Sequence, residues 1–340
     1  MCSCRLLLVA SLLVLSGCFR SAGSTPEVVV YAALDREFSE PVLDAFTAAE
    51  GIQVLAKYDI ESTKTVGLTQ ALMSEAARPR CDVFWNNEIL NTLRLERAGL
   101  LDVYYAPQAK NFPEAFRSPQ GTWHGIAARA RVLLVNTNLV PADKMPTSIN
   151  DLADPQWQGK VGIAKPLFGT TATHAACLFA ALGEEEAKAL LRSLKQNKIQ
   201  ILSGNKQVAL AVSAGQIAFG LTDTDDAIIE LEQGQPVRII YPDRAADQLG
   251  TLFIPNTLCI LKDCPHPEAA RKLVDYLLTP AVEEALANCP SAQIPLNSAV
   301  RVPSRVETPA TVHAMPVDFA AAAEQWETAA QFIRDEFTAD

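Results

Sequence analysis

The chain has 340 residues, 49% hydrophobic and 20% charged, a composition that excludes fibrous, low-complexity and largely disordered classes. That length exceeds what one hydrophobic core usually supports, so two lobes are expected. A formal net charge of -10, with no basic runs and only 7% aromatics, argues against a nucleic-acid surface.

Residues 1–18 read MCSCRLLLVASLLVLSGC. Arg5 precedes an apolar run, Leu6–Leu15, broken only by Ser11. Ten helical residues span about 15 Å, half the hydrocarbon thickness of a bilayer, so the run reads as a signal-peptide core, not a spanning helix. Leu15-Ser16-Gly17-Cys18 resembles a bacterial lipobox. That implies removal of residues 1–17 and lipidation of Cys18; a plain signal peptide with a chance cysteine is the other reading. Residues 18–26 then form a lipidated start and a flexible tether. The expected location is the cell envelope, outside the cytoplasm, with the chain held to the membrane by its lipid. Cys81, Cys177, Cys259, Cys264 and Cys289 remain, an odd number in a compartment that permits disulfides. Cys259 or Cys264 can bridge to Cys289, and buried apolar thiols are the alternative, above all at Cys81 and Cys177. The histidines, His124, His174, His266 and His313, show no metal-ligand spacing.

The mature fold opens on the β-rich run Glu27–Ala33. Ser39-Glu40-Pro41 is expected to start a helix with Val42, Leu43, Phe46 and Ala49 on one face, ended by Gly51. Ile52–Tyr58 reads as the next strand, which makes a βαβ unit and hence a parallel sheet. The pattern recurs as a helix near Thr65–Ala77, the strand Asp82–Trp85 and a helix Ile89–Ala98. Strands follow at Arg131–Asn136 and Lys160–Ala164, with helices at Thr173–Leu182 and Glu184–Gln196. Further strands are read at Ile217–Thr222, Val237–Tyr241 and Thr257–Lys262. Pro267–Leu278 and Pro280–Ala287 read as helices, and Phe319–Phe337 as a last amphipathic helix clasped on the body.

This order resembles the extracellular solute-binding proteins of ABC importers, in particular the ferric-iron-binding group. The resemblance covers nearly all of the mature chain. It rests on VVVYAALDREFSEPVLDAFTAAEGIQV, on Cys81–Leu101 (CDVFWNNEILNTLRLERAGLL) and on Trp123–Leu139 (WHGIAARARVLLVNTNL). Ser148–Ile163 (SINDLADPQWQGKVGI) and the helices of Pro267–Ala287 continue it. The resemblance implies an α/β fold of the two-lobed periplasmic-binding-protein type (type II), with crossing strands as hinge and ligand in the cleft. It places residues 27–129 plus about 253–290 in lobe 1, and 130–252 plus about 291–340 in lobe 2. Open parallel sheets bind ligands at the carboxyl ends of their strands, which two facing lobes bring together. Hinge closure then follows from the ligand's differential affinity for open and closed states.

Candidate site residues follow from chemistry and from that resemblance. The loop Phe168–Thr173 precedes a helix, and the first-turn N–H groups around Gly169, Thr170, Thr171 and Ala172 suit an anion. Simple N-capping fits the same residues. Arg129 and Arg131 lie two apart, share one face on a strand, and suit a carboxylate or phosphate. A structural ion pair is the other reading for each. Asp223, Asp225 and Asp226 follow a strand end, where a cation or helix amides would stabilise their mutual repulsion. In the resembled group this place carries a tyrosine pair that holds iron, and here Asp225 and Asp226 stand there. Carboxylates also suit hard cations, Ca, Mg and Mn included. Less surely mapped are Asp35, Asn87, Glu88 and Asn205, of which Asp35 and Glu88 also suit turn or helix capping.

The expected function is therefore capture of a small ligand, ferric iron with a synergistic anion, and its delivery to a membrane permease by a monomeric lipoprotein. Fe(III) or another hard cation is the bound group, and no catalytic cofactor is expected. The alternative keeps that role for a small organic anion such as a phosphonate, organophosphate or carboxylate. A secreted hydrolase is the distant alternative, since the chain contains neither GxSxG nor HExxH.

Overall fold

The computed structural model describes residues 25–59 and 65–337, so Cys18 and most of the tether lie outside the described residues. The first elements are β1 (Glu27–Ala32), α1 (Arg36–Glu50), β2 (Gln53–Tyr58), α2 (Val66–Ser74), β3 (Val83–Asn86) and α3 (Leu90–Arg97). Then come β4 (His124–Asn136), β5 (Val161–Ala164), α4 (Gly169–Leu182), α5 (Glu184–Gln196), β6 (Gln200–Leu202) and α6 (Asn205–Ser213). The chain closes with β7 (Phe219–Asp223), α7 (Thr224–Glu232), β8 (Val237–Ile240), β9 (Phe253–Ile260), α8 (Pro267–Leu277), α9 (Pro280–Asn288) and α10 (Phe319–Phe337).

The strand order is β2-β1-β3-β9-β4-β7-β5-β6, with β8 also paired to β4. The βαβ units give the parallel pairs β1–β2, β1–β3, β5–β6 and β5–β7. β4 joins the two halves. Its first part, His124–Ala130, runs antiparallel to β9, and its second part, Arg131–Asn136, antiparallel to β7 and β8. All of its residues are buried. The result is a two-lobed α/β fold whose lobes share long crossing strands.

Several boundaries differ from the sequence reading. β4 begins at His124, not Arg131, because Gly125 and Ala127–Ala130 carry little strand propensity of their own and are held by β9. A bulge at Ala127, with φ of 38°, lies in this stretch. α4 begins at Gly169, not Thr173, so the expected anion loop is the first turn of the helix. α1 begins at Arg36 with Asp35 as N-cap, which leaves Pro41 inside the helix. α6 opens on Asn205 itself. α10 buries Phe319, Ala322, Ala323, Trp326, Ala329 and Ile333, a helical stripe packed on α4 and α3. It thus touches elements of both halves. Arg94 of α3 lies over Trp326 and 2.7 Å from Glu327. All five described cysteines are free, and burial pushes the thiols of Cys81, Cys177 and Cys259 well up, so they stay protonated.

Close packing of α6 on the sheet fixes where its N-terminus points. Gly220 of β7 lets the helix approach. A Cβ on Gly220 would meet Val208 Cγ1 at 2.5 Å and the Gly162 carbonyl oxygen at 2.8 Å. Gly220→Ala is expected to destabilise by about 1–3 kcal/mol in urea unfolding, and to weaken ligand capture by shifting Asn205.

Candidate functional site

Strand ends and helix starts from both lobes converge on one cleft. It is lined by Asp35 after β1, Asn87 after β3, Arg129 of β4, and Lys165, Phe168, Gly169 and Thr170 after β5. Ser203 to Asn205 after β6 and Asp223, Asp225 and Asp226 at the β7–α7 junction complete it. This is the carboxyl edge of the sheets, as open α/β folds require. The space enclosed is about 20 Å³, enough for one or two water-sized guests.

Three carboxylates form the acidic side. Asp223, Asp225 and Asp226 place oxygens within 4.8 Å of one another. Asp223 is the N-cap of α7, and the other two sit in its first turn, where the helix dipole favours negative charge. Asp223 is 4% exposed, and its charge is held by several donors. Arg131 Nη1 donates to Oδ1 at 2.7 Å, while Thr170 Oγ1 and Asn205 Nδ2 donate to Oδ2 at 2.5 and 3.0 Å.

Both arginines are committed inward. Arg131 is fully buried behind the cleft wall and also donates to Thr170, Asn205 and Thr171 at 3.2, 3.0 and 3.1 Å. Arg129 lines the cleft and donates from Nε to Asp225 Oδ2 at 2.9 Å. Its Nη2 donates to Asn256 Oδ1 at 2.7 Å, and its Nη1 to the Asn87 carbonyl. Burial works against the Arg129 charge, yet Asp225, Asp223 and Asp35 outweigh it and hold the guanidinium protonated. Each arginine is thus the buried ion-pair partner of an aspartate. Neither presents an open fork to an incoming anion.

The N-terminus of α4 adjoins them. Its N-cap, Phe168, makes no side-chain cap bond. Gly169 and Thr170 line the cleft, whereas the Thr171 hydroxyl donates to Asn205 at 3.1 Å and Ala172 is buried in the helix. Asn205 opens α6 and ties Thr170, Thr171 and Asp223 together.

The remaining candidates separate. Asp35 lies in the cleft as N-cap of α1. Asn87 also lies there, 5% exposed, with its Oδ1 buried and without a hydrogen-bond partner. Glu88 does not line the cleft. It is fully buried, and its oxygens accept the Leu90 and Asn91 amides at 2.5 and 3.0 Å and the Thr173 hydroxyl at 2.8 Å. That is a helix-capping role at α3, which the sequence allowed as the alternative. Lys165 and Ser203 went unread in the sequence, although each directly follows a parallel strand, the position where such sheets present ligand contacts.

Residues 91–322 match the family model described as bacterial extracellular solute-binding protein. The chain is 27% identical over 293 residues to iron uptake protein A1 of Synechocystis, covering 82% of this chain and 79% of that protein. It is 26% identical over 278 residues to the major ferric iron-binding protein of Neisseria meningitidis, covering 80% and 81%. The iron-bound structure of HitA from Pseudomonas aeruginosa superposes with a TM-score of 0.83 at 25% identity, over 92% of this chain and 99% of that one. With a matched model spanning both lobes and the same two-lobed fold in a solved structure, the chain belongs to the family of bacterial extracellular solute-binding proteins.

Proposed function

We propose that the protein captures ferric iron in its interlobe cleft and delivers it to the membrane permease of an ABC importer. The observation that carries this reading is the trio Asp223, Asp225 and Asp226, with ligand oxygens within 4.8 Å, lining one cleft together with the N-terminus of α4. Carboxylates suit a hard cation, and helix amides suit the small anion that completes its shell. The Asn87 Oδ1 adds a buried neutral acceptor. Among the described residues, four aspartates against Arg129, Arg131 and Lys165 leave one net negative charge. A trivalent cation with a divalent anion such as carbonate matches that charge. Relatives named for iron uptake and ferric iron binding support the same cargo. The organic-anion reading is disfavoured because both guanidiniums already serve Asp223 and Asp225.

In this reading residues 27–129 and about 253–290 form one lobe, and 130–252 with about 291–340 the other. The signal segment 1–17 is removed, and Cys18 anchors a monomer to the membrane outside the cytoplasm. Asp226, Asp225 and Asp223 with Asp35 face the metal, while Gly169, Thr170 and Asn205 face the anion. Capture and release need no bond-making step.

The test is ligand-dependent melting of the chain from Phe19 onward. Fe(III) with citrate or carbonate, Ca²⁺, Mn²⁺, phosphate, phosphonates and small carboxylates are compared. Fe(III) at 100 times its Kd should stabilise by about 2.7 kcal/mol. The gain should vanish in Asp226→Ala and Asp225→Ala. Stabilisation by an organic anion alone, kept in both variants, overturns the iron reading.

A further inference from the structure

Behind the Asp225 carboxylate lies a closed polar ring of Arg129, Asn256 and Gln293. Gln293, 1% exposed, donates from Nε2 to Asp225 Oδ2 at 3.1 Å. Its Oε1 accepts from Asn256 Nδ2 at 3.0 Å and from Arg129 Nη2 at 3.4 Å. Asn256, fully buried on β9, accepts from Arg129 Nη2 at 2.7 Å and donates to the Ala127 carbonyl at 2.8 Å. Ala127 is the bulge of β4. Gln293 neighbours Ile294, which exchanges backbone hydrogen bonds with Ala128 at 2.7 and 2.8 Å. The ring therefore joins β4, β9 and the 291–294 segment.

Chemistry fixes the direction of every bond. A carboxylate only accepts and a guanidinium only donates. So the Gln293 amide must turn its NH₂ to Asp225, and both amide oxygens must turn to Arg129 or to the other amide. One orientation satisfies the whole ring. Arg129 then spans the molecule: Nη1 reaches the Asn87 carbonyl in one lobe, Nη2 the crossing strands, and Nε the Asp225 carboxylate that opens α7 in the other lobe. The ring holds both lobes through one ligand-bearing carboxylate.

We propose that Gln293 and Asn256 are positioning residues for Asp225, locking its carboxylate to the crossing strands in this arrangement of the lobes. Neither residue lines the cleft. Their effect is to couple the alignment of Asp225 to the arrangement of the lobes, so that ligand held by Asp225 is released faster once the ring is cut. This rests on the reading of the cleft as a cation site.

The experiment uses Gln293→Met, which keeps length but removes both polar atoms, and Asn256→Leu as the second variant. Asn297→Leu is the control. Asn297 is 3% exposed and hydrogen-bonded to the Leu278 carbonyl and the Ala299 amide, in the same segment but outside the ring. Small-angle scattering of the ligand-free proteins reads closure, and Fe(III) citrate loading followed by chelator competition reads the release rate. A buried hydrogen bond to a charged group predicts release about ten- to a hundredfold faster in Gln293→Met and Asn256→Leu. Both should scatter as more open molecules. Their double variant should lose no more than the larger single loss allows, because both act through one ring. Asn297→Leu should lower the melting temperature and leave closure and release as in the parent. If Gln293→Met and Asn256→Leu match the parent in both scattering and release, or if Asn297→Leu reproduces their effects, the proposal is wrong. If the parent binds no Fe(III), the cation reading fails, and the ligand-free scattering still decides whether the ring governs closure.

Discussion

Replacing Arg131 with leucine is expected to cost the folded state about 3–5 kcal/mol, because it leaves the buried Asp223 charge without its counter-charge. Arg131 is fully buried and Asp223 is 4% exposed at the cleft, so little water reaches the place of the lost guanidinium. Thr170, Thr171 and Asn205 lose a shared donor at the same time. The urea midpoint should fall with an unchanged slope, since the same surface is exposed on unfolding. Removing both charges, as Arg131→Leu with Asp223→Leu, should recover much of that stability, as buried pairs replaced together often do. The recovery separates a stranded charge from lost packing. A single-variant loss below about 1 kcal/mol would mean that Asp223 finds water or another donor, and the buried-pair account would fail. Ligand capture should vanish in both variants, because the α4 and α6 N-termini are held to each other through these atoms.

The sheet edges and their helices were legible because hydrophobic strand runs and helix stops are local signals. Asp223, Asp225, Asp226, Gly169 and Thr170 stand out in the sequence because they follow strands, and the fold brings such ends into one cleft. The spacing of Arg129 and Arg131 showed that they share a face, but not what they face. Their partners Asp225 and Asp223 lie more than ninety residues away. Long-range pairing leaves no trace in one local pattern. α4 starts at Gly169 rather than Thr173 for a related reason. Gly-Thr-Thr is a poor helix opening by propensity, yet tertiary bonds from Arg131, Asn205 and Asp223 hold Thr170 and Thr171 in it. Glu88 shows the reverse. An acid just before a helix suits capping as well as ligation, and only the inward turn of its side chain decides. Asn256 and Gln293 carry no local signal, since an amide in a strand or loop reads the same with or without a buried ring.

Acid should weaken this protein through one imidazole near the cleft. His174 lies on α4 one turn beyond Thr170, 4% exposed, with Nδ1 lacking a hydrogen-bond partner. Its neighbours include Ile149, Leu152, Leu178, Leu191 and Leu194. Burial in this apolar wall, with the Arg131 charge as a smaller cause, pushes its pKa down to about 3. The folded state therefore binds fewer protons here than the unfolded chain, whose histidine titrates near about 6.5. Stability is whole above that value and falls as pH drops toward 3, by about 1.4 kcal/mol per pH unit, or roughly 2 kcal/mol at pH 5. His174→Leu removes the titrating group and suits the apolar wall, so its cost at pH 8 should stay below about 1.5 kcal/mol. Between pH 6 and 4 its stability curve should lie flatter than the parent's by about 1.4 kcal/mol per unit, because carboxylates titrate alike in both proteins. Parallel curves would mean that the imidazole takes up its proton without opening the fold. The consequence reaches the cleft. Protonation would set a second buried cation beside Arg131, whose charge is matched by Asp223, on the helix whose N-terminus lines the cleft.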